Sequence, residues 1–174
     1  GLVASSRSTP TFADIDGDGD FDAFIGEFNG SINYFKNIGD ASSPVFVEPV
    51  VDVGEDSTPD FVDIDGDGDF DVFIGEVFGG LIYLENTGDA NNTAFIRIGD
   101  SPFGLSDVGF DASPSFIDID GDGDFDAFVG EREGNINYFE NTGNANNPAF
   151  TRTGGNMPLG LTDVGEDSTP DFVD

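Results

Sequence analysis

Asp63-Ile64-Asp65-Gly66-Asp67-Gly68-Asp69-Phe70-Asp71 is the stretch whose reading decides the fold. It recurs as Asp14 to Asp22 and Asp118 to Asp126. Carboxylates fall on every odd position of the nine, with glycines at the fourth and sixth. In an extended chain alternate residues face one way, so this pattern would line up five negative charges at a cost in free energy. The glycines permit a different path, a tight and partly left-handed turning that wraps the backbone around a point. A hard cation that takes six to eight oxygens then collects side chains from positions 1, 3, 5 and 9 and a main-chain carbonyl near position 7. The loop reads as a calcium site.

Two other readings are weaker. An EF-hand loop begins in the same way but carries a bidentate Glu at position 12 and lies between helices. Here position 12 is Ile25, Ile74 or Val129, and the aromatic, glycine-flanked run that follows does not favour a helix. A metal-free acidic loop would serve solubility, which asks for charge but not for register. Magnesium prefers fewer protein ligands and retains water, which leaves calcium favoured.

Composition narrows the class. The 174 residues carry 36 acidic and five basic side chains, a formal charge of −31. Three divalent cations offset only six of those charges. A chain this acidic repels nucleic acid and anionic membrane surfaces. Such charge accompanies disorder when aromatics are few, whereas here there are 19 phenylalanines and three tyrosines. Cysteine and histidine are absent, which removes disulfides, thiolate chemistry and imidazole ligands or bases. No apolar run reaches 18 residues, and Gly1 to Ser8 lacks the hydrophobic region of a signal peptide. Calcium is abundant outside cells, so the expected setting is extracellular, secreted or on the cell surface.

The chain repeats beyond its loops. Marker prolines stand at Pro10, Pro59, Pro114 and Pro170, a period in the range of propeller blades. The expected organisation is 1–9 as the end of a preceding repeat, then repeats at 10–58, 59–113 and 114–169, with 170–174 opening a fourth. Strand one is expected at Phe12 to Ile15, Phe61 to Ile64 and Phe116 to Ile119, ahead of the loop. Strand two follows it at Phe21 to Glu27, Phe70 to Glu76 and Phe125 to Glu131. Turns at Asn29-Gly30, Gly79-Gly80 and Glu133-Gly134 lead to strand three at Ser31 to Lys36, Leu81 to Glu85 and Asn135 to Glu140. The repeated Asn-x-Gly turns at Asn37, Asn86 and Asn141 lead to strand four at Val45 to Val47, Ala94 to Ile98 and Ala149 to Arg152.

Apolar residues stand on both faces, with Phe21, Ala23 and Ile25 on one and Phe24 on the other, so both faces must be covered by neighbouring sheets. Phenylalanine is the expected filling between them. The fold class is therefore all-β, a tandem series of four-stranded antiparallel blade-like repeats. It is expected either as a segment of a β-propeller or as an open linear, filamentous array.

At the loops and their flanks the chain resembles the FG-GAP/VCBS repeat proteins, related to the integrin alpha-chain propeller. The resemblance implies one calcium ion per complete loop, three per chain, bound between the first two strands of each blade. It places the ligands at Asp14, Asp16, Asp18 and Asp22, at Asp63, Asp65, Asp67 and Asp71, and at Asp118, Asp120, Asp122 and Asp126. Asp20, Asp69 and Asp124 would give main-chain oxygens, their own carboxylates facing water or the ion's water. No inserted adhesion domain is present, so integrin-type ligand recognition has no support.

The fourth unit stops at Asp174, the first ligand position of its own loop. The expectation is that adjoining repeats of a longer chain, or copies of the chain, supply the rest. Three sheets fall below the usual number for a closed propeller, so an aromatic face and unpaired strand edges are expected at the ends. Catalysis is not expected. A cation keeps neighbouring carboxylates ionised, the opposite of what a general acid needs. Glu27, Glu76 and Glu131 recur in every unit, as a group satisfying a turn would, and the Arg132-Glu133 pair is an ordinary surface feature. The expected function is a calcium-stabilised structural or adhesive repeat, assembling head to tail. The alternative is a binding module for carbohydrate or a cell-surface protein through its variable loops. Asn29-Gly30-Ser31 and Asn91-Asn92-Thr93 are formal N-glycosylation acceptors.

Overall fold

Proline shows where each unit begins. Without an N–H it is confined to sheet edges, where no ladder donor is needed. In the structure, a computed structural model, Pro10, Pro59 and Pro114 lie in β1 (Thr9–Ala13), β6 (Thr58–Val62) and β10 (Ser113–Ile117), each the edge strand of its own sheet. The structure describes residues 9–15, 18–26, 31–40, 42–47, 50–52, 58–88, 93–156, 158–162 and 165–172.

Each edge strand pairs antiparallel with the strand after the acidic loop: β2 (Asp22–Gly26), β7 (Asp71–Gly75) or β11 (Asp126–Gly130). A third strand follows in order, β3 (Ser31–Asn37), β8 (Leu81–Asn86) or β12 (Ile136–Asn141). The fourth is β9 (Phe95–Asp100) in the second sheet and β13 (Phe150–Asn156) in the third. In the first sheet two short strands, β4 (Phe46–Val47) and β5 (Val50–Asp52), both pair with β3. The result is three tandem antiparallel sheets, and no ladder joins one to the next among the described residues.

Two expectations shift. Strand one starts about three residues earlier than expected, because the Thr-Pro or Ser-Pro pair ahead of it joins the ladder: Thr58 faces Gly75 and Pro59 faces Ile74. Ile64 accordingly falls outside the strand yet remains buried at 2% exposure. Strand four runs longer, because a register shift at Tyr83/Leu84 and at Asn137/Tyr138 lets pairing resume beyond the bulge.

The sheets are held by their faces. Ile15, Phe24 and Tyr34 of the first unit pack with Val72, Ile74, Ile82 and Leu84 of the second. The opposite face of the second sheet, with Phe73, Leu81 and Tyr83, meets Ala127, Val129, Phe139 and Phe150 of the third. One aromatic pattern repeats at each seam. Phe24 lies 4.5 Å from Phe61, Phe73 lies 4.5 Å from Phe116, and Phe128 lies 4.9 Å from Phe172. Each of the first rings also stacks on the tyrosine of its own third strand. Phenylalanine is the filling between sheets, as expected from the two-sided apolar pattern.

Phe21 is a correction. It and its counterparts Phe70 and Phe125 lie outside the second strand and are 67%, 41% and 38% exposed, so they fill no seam. The open aromatic end face is a second correction. Phe128 and Tyr138 on the outer side of the third sheet are buried, with Phe172 against Phe128. At the other end Ala23, Ile25 and Phe35 are buried as a cluster of their own. What remains beside Phe172 is a groove of about 300 Å³ between Ile119, Ile136, Leu159 and Leu161.

Backbone crossings fix the seams more tightly than side chains alone. The lead-in to β10 passes over the end of β7, where a Cβ on Gly75 would stand 1.9 Å from the Ala112 carbonyl oxygen. The same crossing recurs one unit on, with Gly130 under Ser168 at 2.0 Å. Thr58 Oγ1 donates to the Ala112 carbonyl at 2.7 Å, and the Ala112 N–H donates to Glu76 O at 3.2 Å. Glycine is required there by space alone.

Candidate metal centre

The acidic loops take the turning path and not the extended one. Gly66 and Gly68 have φ of +71° and +99°, and Gly121 and Gly123 have φ of +78° and +97°, the left-handed region open to glycine. With the backbone so curled, loop amides turn inward onto the carboxylates. In the second loop Gly68 N donates to Asp63 Oδ2 at 3.1 Å, Asp67 N to Asp65 Oδ1 at 3.2 Å, and Asp69 N to Asp67 Oδ1 at 2.9 Å. In the third loop Gly123 N, Asp122 N and Asp124 N make the same contacts to Asp118 Oδ2, Asp120 Oδ1 and Asp122 Oδ1.

This curling brings one carboxylate oxygen each from Asp63, Asp65 and Asp67 within 4.8 Å of one another, and likewise from Asp118, Asp120 and Asp122. In the first loop Asp14 Oδ2 accepts from Gly19 N and Asp18 Oδ1 from Asp20 N, as in the second, while Asp16 lies outside the described residues. The donors are all hard oxygens, the set that suits calcium. Asp63 Oδ1 and Asp14 Oδ1 are buried without a hydrogen-bond partner, as is Asp124 Oδ1. A buried carboxylate oxygen left unsatisfied is costly, and a cation would relieve it. By this test the residues fit a divalent cation. Asp124 is 7% exposed, so of the two expected settings for its carboxylate, water or the ion's water, open water does not apply.

Position nine has a second task. Asp71 is buried; its Oδ1 accepts from Asn86 N at 2.8 Å and its Oδ2 from the Tyr83 hydroxyl at 3.0 Å. Asp126 holds Asn141 N and the Tyr138 hydroxyl, and Asp22 holds Asn37 N and the Tyr34 hydroxyl. These aspartates pin the end of strand three to the end of the loop. Burial pushes the Asp71 carboxyl up to about 7, against the pull of the two donors. Asp126 is raised by the same cause, and burial next to the carboxylate raises the Tyr83 phenol as well. A bound cation would oppose these carboxyl shifts by favouring the ionised form.

Sequence reasoning missed the tyrosine and asparagine partners, though the signal is present. In every unit a Tyr stands 12 residues and an Asn 15 residues after the ninth-position Asp. The Asn side chain then shapes the following turn. Asn86 Oδ1 accepts from Gly88 N and Ala94 N, and Asn141 Oδ1 from Gly143 N and Ala149 N.

Glu131 does satisfy a turn. It accepts from Glu133 N at 2.8 Å, and from Asn135 N at 3.0 Å as well as from its side chain. Arg132 pairs with Asp111 at 2.7 Å and lies over the Phe110 ring, so its partner is not Glu133. Glu27, Asn29-Gly30, Asn91-Asn92 and Asp174 lie outside the described residues. Among the described residues no helix is long and apolar enough to cross a membrane.

No curated protein sequence matches the chain. A solved structure of the Photorhabdus luminescens Tc holotoxin pore is similar, with a TM-score of 0.47 and 18% identity over 90% of this chain. The chain spans 7% of the toxin chain it matches. Residues 63–129 match the FG-GAP-like repeat, a structural and non-catalytic unit, from the first aspartate of the second loop to strand two of the third sheet. The chain thus carries an FG-GAP-like repeat at 63–129, the stretch that holds the second loop and the seam to the third sheet.

Proposed function

We propose that this is a calcium-stiffened structural or adhesive repeat module of the extracellular space, in which each complete loop holds one calcium ion. The observation that carries the reading is the second loop, where three carboxylates converge within 4.8 Å and Asp63 Oδ1 is buried without a partner. Asp63, Asp65, Asp67 and Asp71 are the side-chain ligands in this reading, with the main-chain oxygen of Asp69 beside them. Asp14, Asp16, Asp18, Asp20 and Asp22 and Asp118, Asp120, Asp122, Asp124 and Asp126 serve in the same order. When bound, the ion supplies positive charge at the point where three carboxylates of the loop converge.

The chain's own residues carry that stiffening into the sheets, because Asp71 is tied to strand three through Asn86 and Tyr83. The units add along the stack by repeating one seam, as blades of a propeller or as a linear array. Calorimetric titration of the metal-free chain with calcium chloride tests the reading. Three sites are expected; fewer than two, or a circular dichroism spectrum and melting curve indifferent to EDTA, would refute it.

One observation favours a second reading, a binding module. Phe21, Phe70 and Phe125 stand exposed at the same loop position in each unit, where they offer ring faces to a sugar or a protein surface. Glycan-array binding that is lost in the triple alanine variant would support that reading over the structural one.

A further inference from the structure

The second and third acidic loops have the same sequence but not the same surroundings. The turn between β12 and β13 of the third unit lies against the second loop: Asn146 Nδ2 donates to the main-chain oxygen of Asp65 at 2.9 Å. A Cβ on Gly66 would stand 2.8 Å from that nitrogen and 3.1 Å from Ala145 O. The equivalent Gly121 of the third loop has nothing within 4 Å.

The first aspartates differ in step. In the third loop Asp118 Oδ1 is taken by Gly121 N at 2.7 Å and Asp122 N at 3.2 Å. In the second loop the corresponding Asp63 Oδ1 is buried and accepts nothing. Where the turn holds Asp65 from outside, Asp63 Oδ1 is left without a hydrogen-bond donor. Where no turn is present, the loop's own amides close over it.

We propose that Asn146 is a positioning residue for the cation of the preceding unit: it anchors the Asp65 peptide so that the loop keeps Asp63 Oδ1 available. This rests on the loops being calcium sites. It makes metal binding in one unit dependent on the docking of the next, since the ligands and the anchor lie 81 residues apart on neighbouring sheets. The corresponding position one unit earlier is also asparagine, Asn91, whereas in the first unit it is Ser42. Outer residues that orient metal ligands typically govern affinity by about 10–100-fold.

The test is calcium titration calorimetry on the whole chain in two backgrounds. Asp18→Ala with Asp122→Ala leaves only the second loop complete; Asp18→Ala with Asp67→Ala leaves only the third. Asn146→Ala is expected to weaken calcium binding about tenfold in the first background and less than about twofold in the second. A purely structural role for Asn146 would weaken both alike, and that result overturns the proposal. So does unchanged affinity in the first background.

Asn147→Ala alters the same turn without touching the loop and is expected to leave both sites as they were. Should a double background not fold, the otherwise unaltered chain carries the same test: Asn146→Ala, at an exposed position, weakens one site and spares the others. A parent chain that takes up no calcium overturns the metal reading and this inference with it. A parent that binds while Asn146→Ala changes nothing overturns this inference alone.

Discussion

Gly75→Ala is the sharpest perturbation available, because the added methyl has nowhere to go. Its Cβ would stand 1.9 Å from Ala112 O, 2.6 Å from the Ala112 carbonyl carbon and 2.9 Å from Thr58 Oγ1. The first two are backbone atoms, so no rotamer change relieves the contact. The lead-in to β10 must retreat by about 1.5 Å to restore an ordinary separation. Overpacking of this kind costs about 1–3 kcal/mol. The retreat also strains two bonds at the crossing, Thr58 Oγ1 to Ala112 O and Ala112 N to Glu76 O, at about 1 kcal/mol each. The expected loss is therefore about 3–5 kcal/mol. In urea, with a slope of about 2 kcal/mol per molar, the midpoint should fall by about 2 M. Far-UV circular dichroism in saturating calcium reads it. Gly99→Ala is the matched control, on a strand with nothing within 4 Å, and should shift stability by less than about 0.5 kcal/mol. If the two variants unfold at the same urea concentration, the argument that Gly75 exists to admit the next unit's backbone is wrong.

Removal of the Tyr83 hydroxyl in Tyr83→Phe leaves Asp71 Oδ2 buried without its donor and should cost about 1–2 kcal/mol in the same urea assay; an unchanged midpoint would show the bond to be idle. Chelation should lower the melting temperature of the whole chain, and Asp67→Ala should remove one calorimetric site while retaining the others, a result that loss of all sites would contradict. Asp60 gives a pH prediction. Burial between the second and third units raises its carboxyl to about 6, with Asp171 adding to the effect, against the pull of the Phe116 N–H at 3.0 Å. A raised folded value means that the folded state holds the proton more tightly. That contribution is complete below about pH 4 and is lost as pH rises through about 6. Asp60→Asn keeps an acceptor for Phe116 and should gain on the parent between those values, by about 1–2 kcal/mol for a partly exposed group, then run parallel to it. A gain that does not grow with pH would remove Asp60 as the cause.

Much of the architecture was legible in the sequence because the signals were local and repeated. The Asp-Gly alternation fixed a curled loop, and the left-handed Gly66 and Gly68 realise it. Apolar residues on both faces required stacked sheets, and Phe24, Phe73 and Phe128 occupy the seams. Strand one begins about three residues earlier than expected because Pro59 stands at a sheet edge, where its missing N–H costs nothing. Phe21 was misplaced because alternation along strand two was extended one residue into the loop. The partners of Asp71 recur at fixed spacing, yet their role was not legible from it: Tyr83 and Asn86 lie across a hairpin, and only pairing β7 with β8 brings them to the carboxylate. The contact of Asn146 with Asp65 depends on the packing of separate sheets, which no local pattern encodes.

The ninth-position aspartate explains why loop and sheet must be conceived as one object. A ligand that served only the ion could sit on a free loop and be released when the ion leaves. Asp71 instead accepts from strand three at both oxygens, so the loop's closing residue is tied to the sheet as well as to the loop. A cation bound there would act on the rest of the loop, where Asp63, Asp65 and Asp67 converge and the hydrogen bonds they accept come from loop amides. Stability then divides into a part built into each sheet and a part that the seam and the loop share. Gly75 admits the next unit's lead-in on one strand, while the next unit's turn reaches back to the loop through Asn146. Each unit is thereby completed by the one after it, which is the condition under which stability in a repeat chain grows by nearest-neighbour terms and not by isolated units.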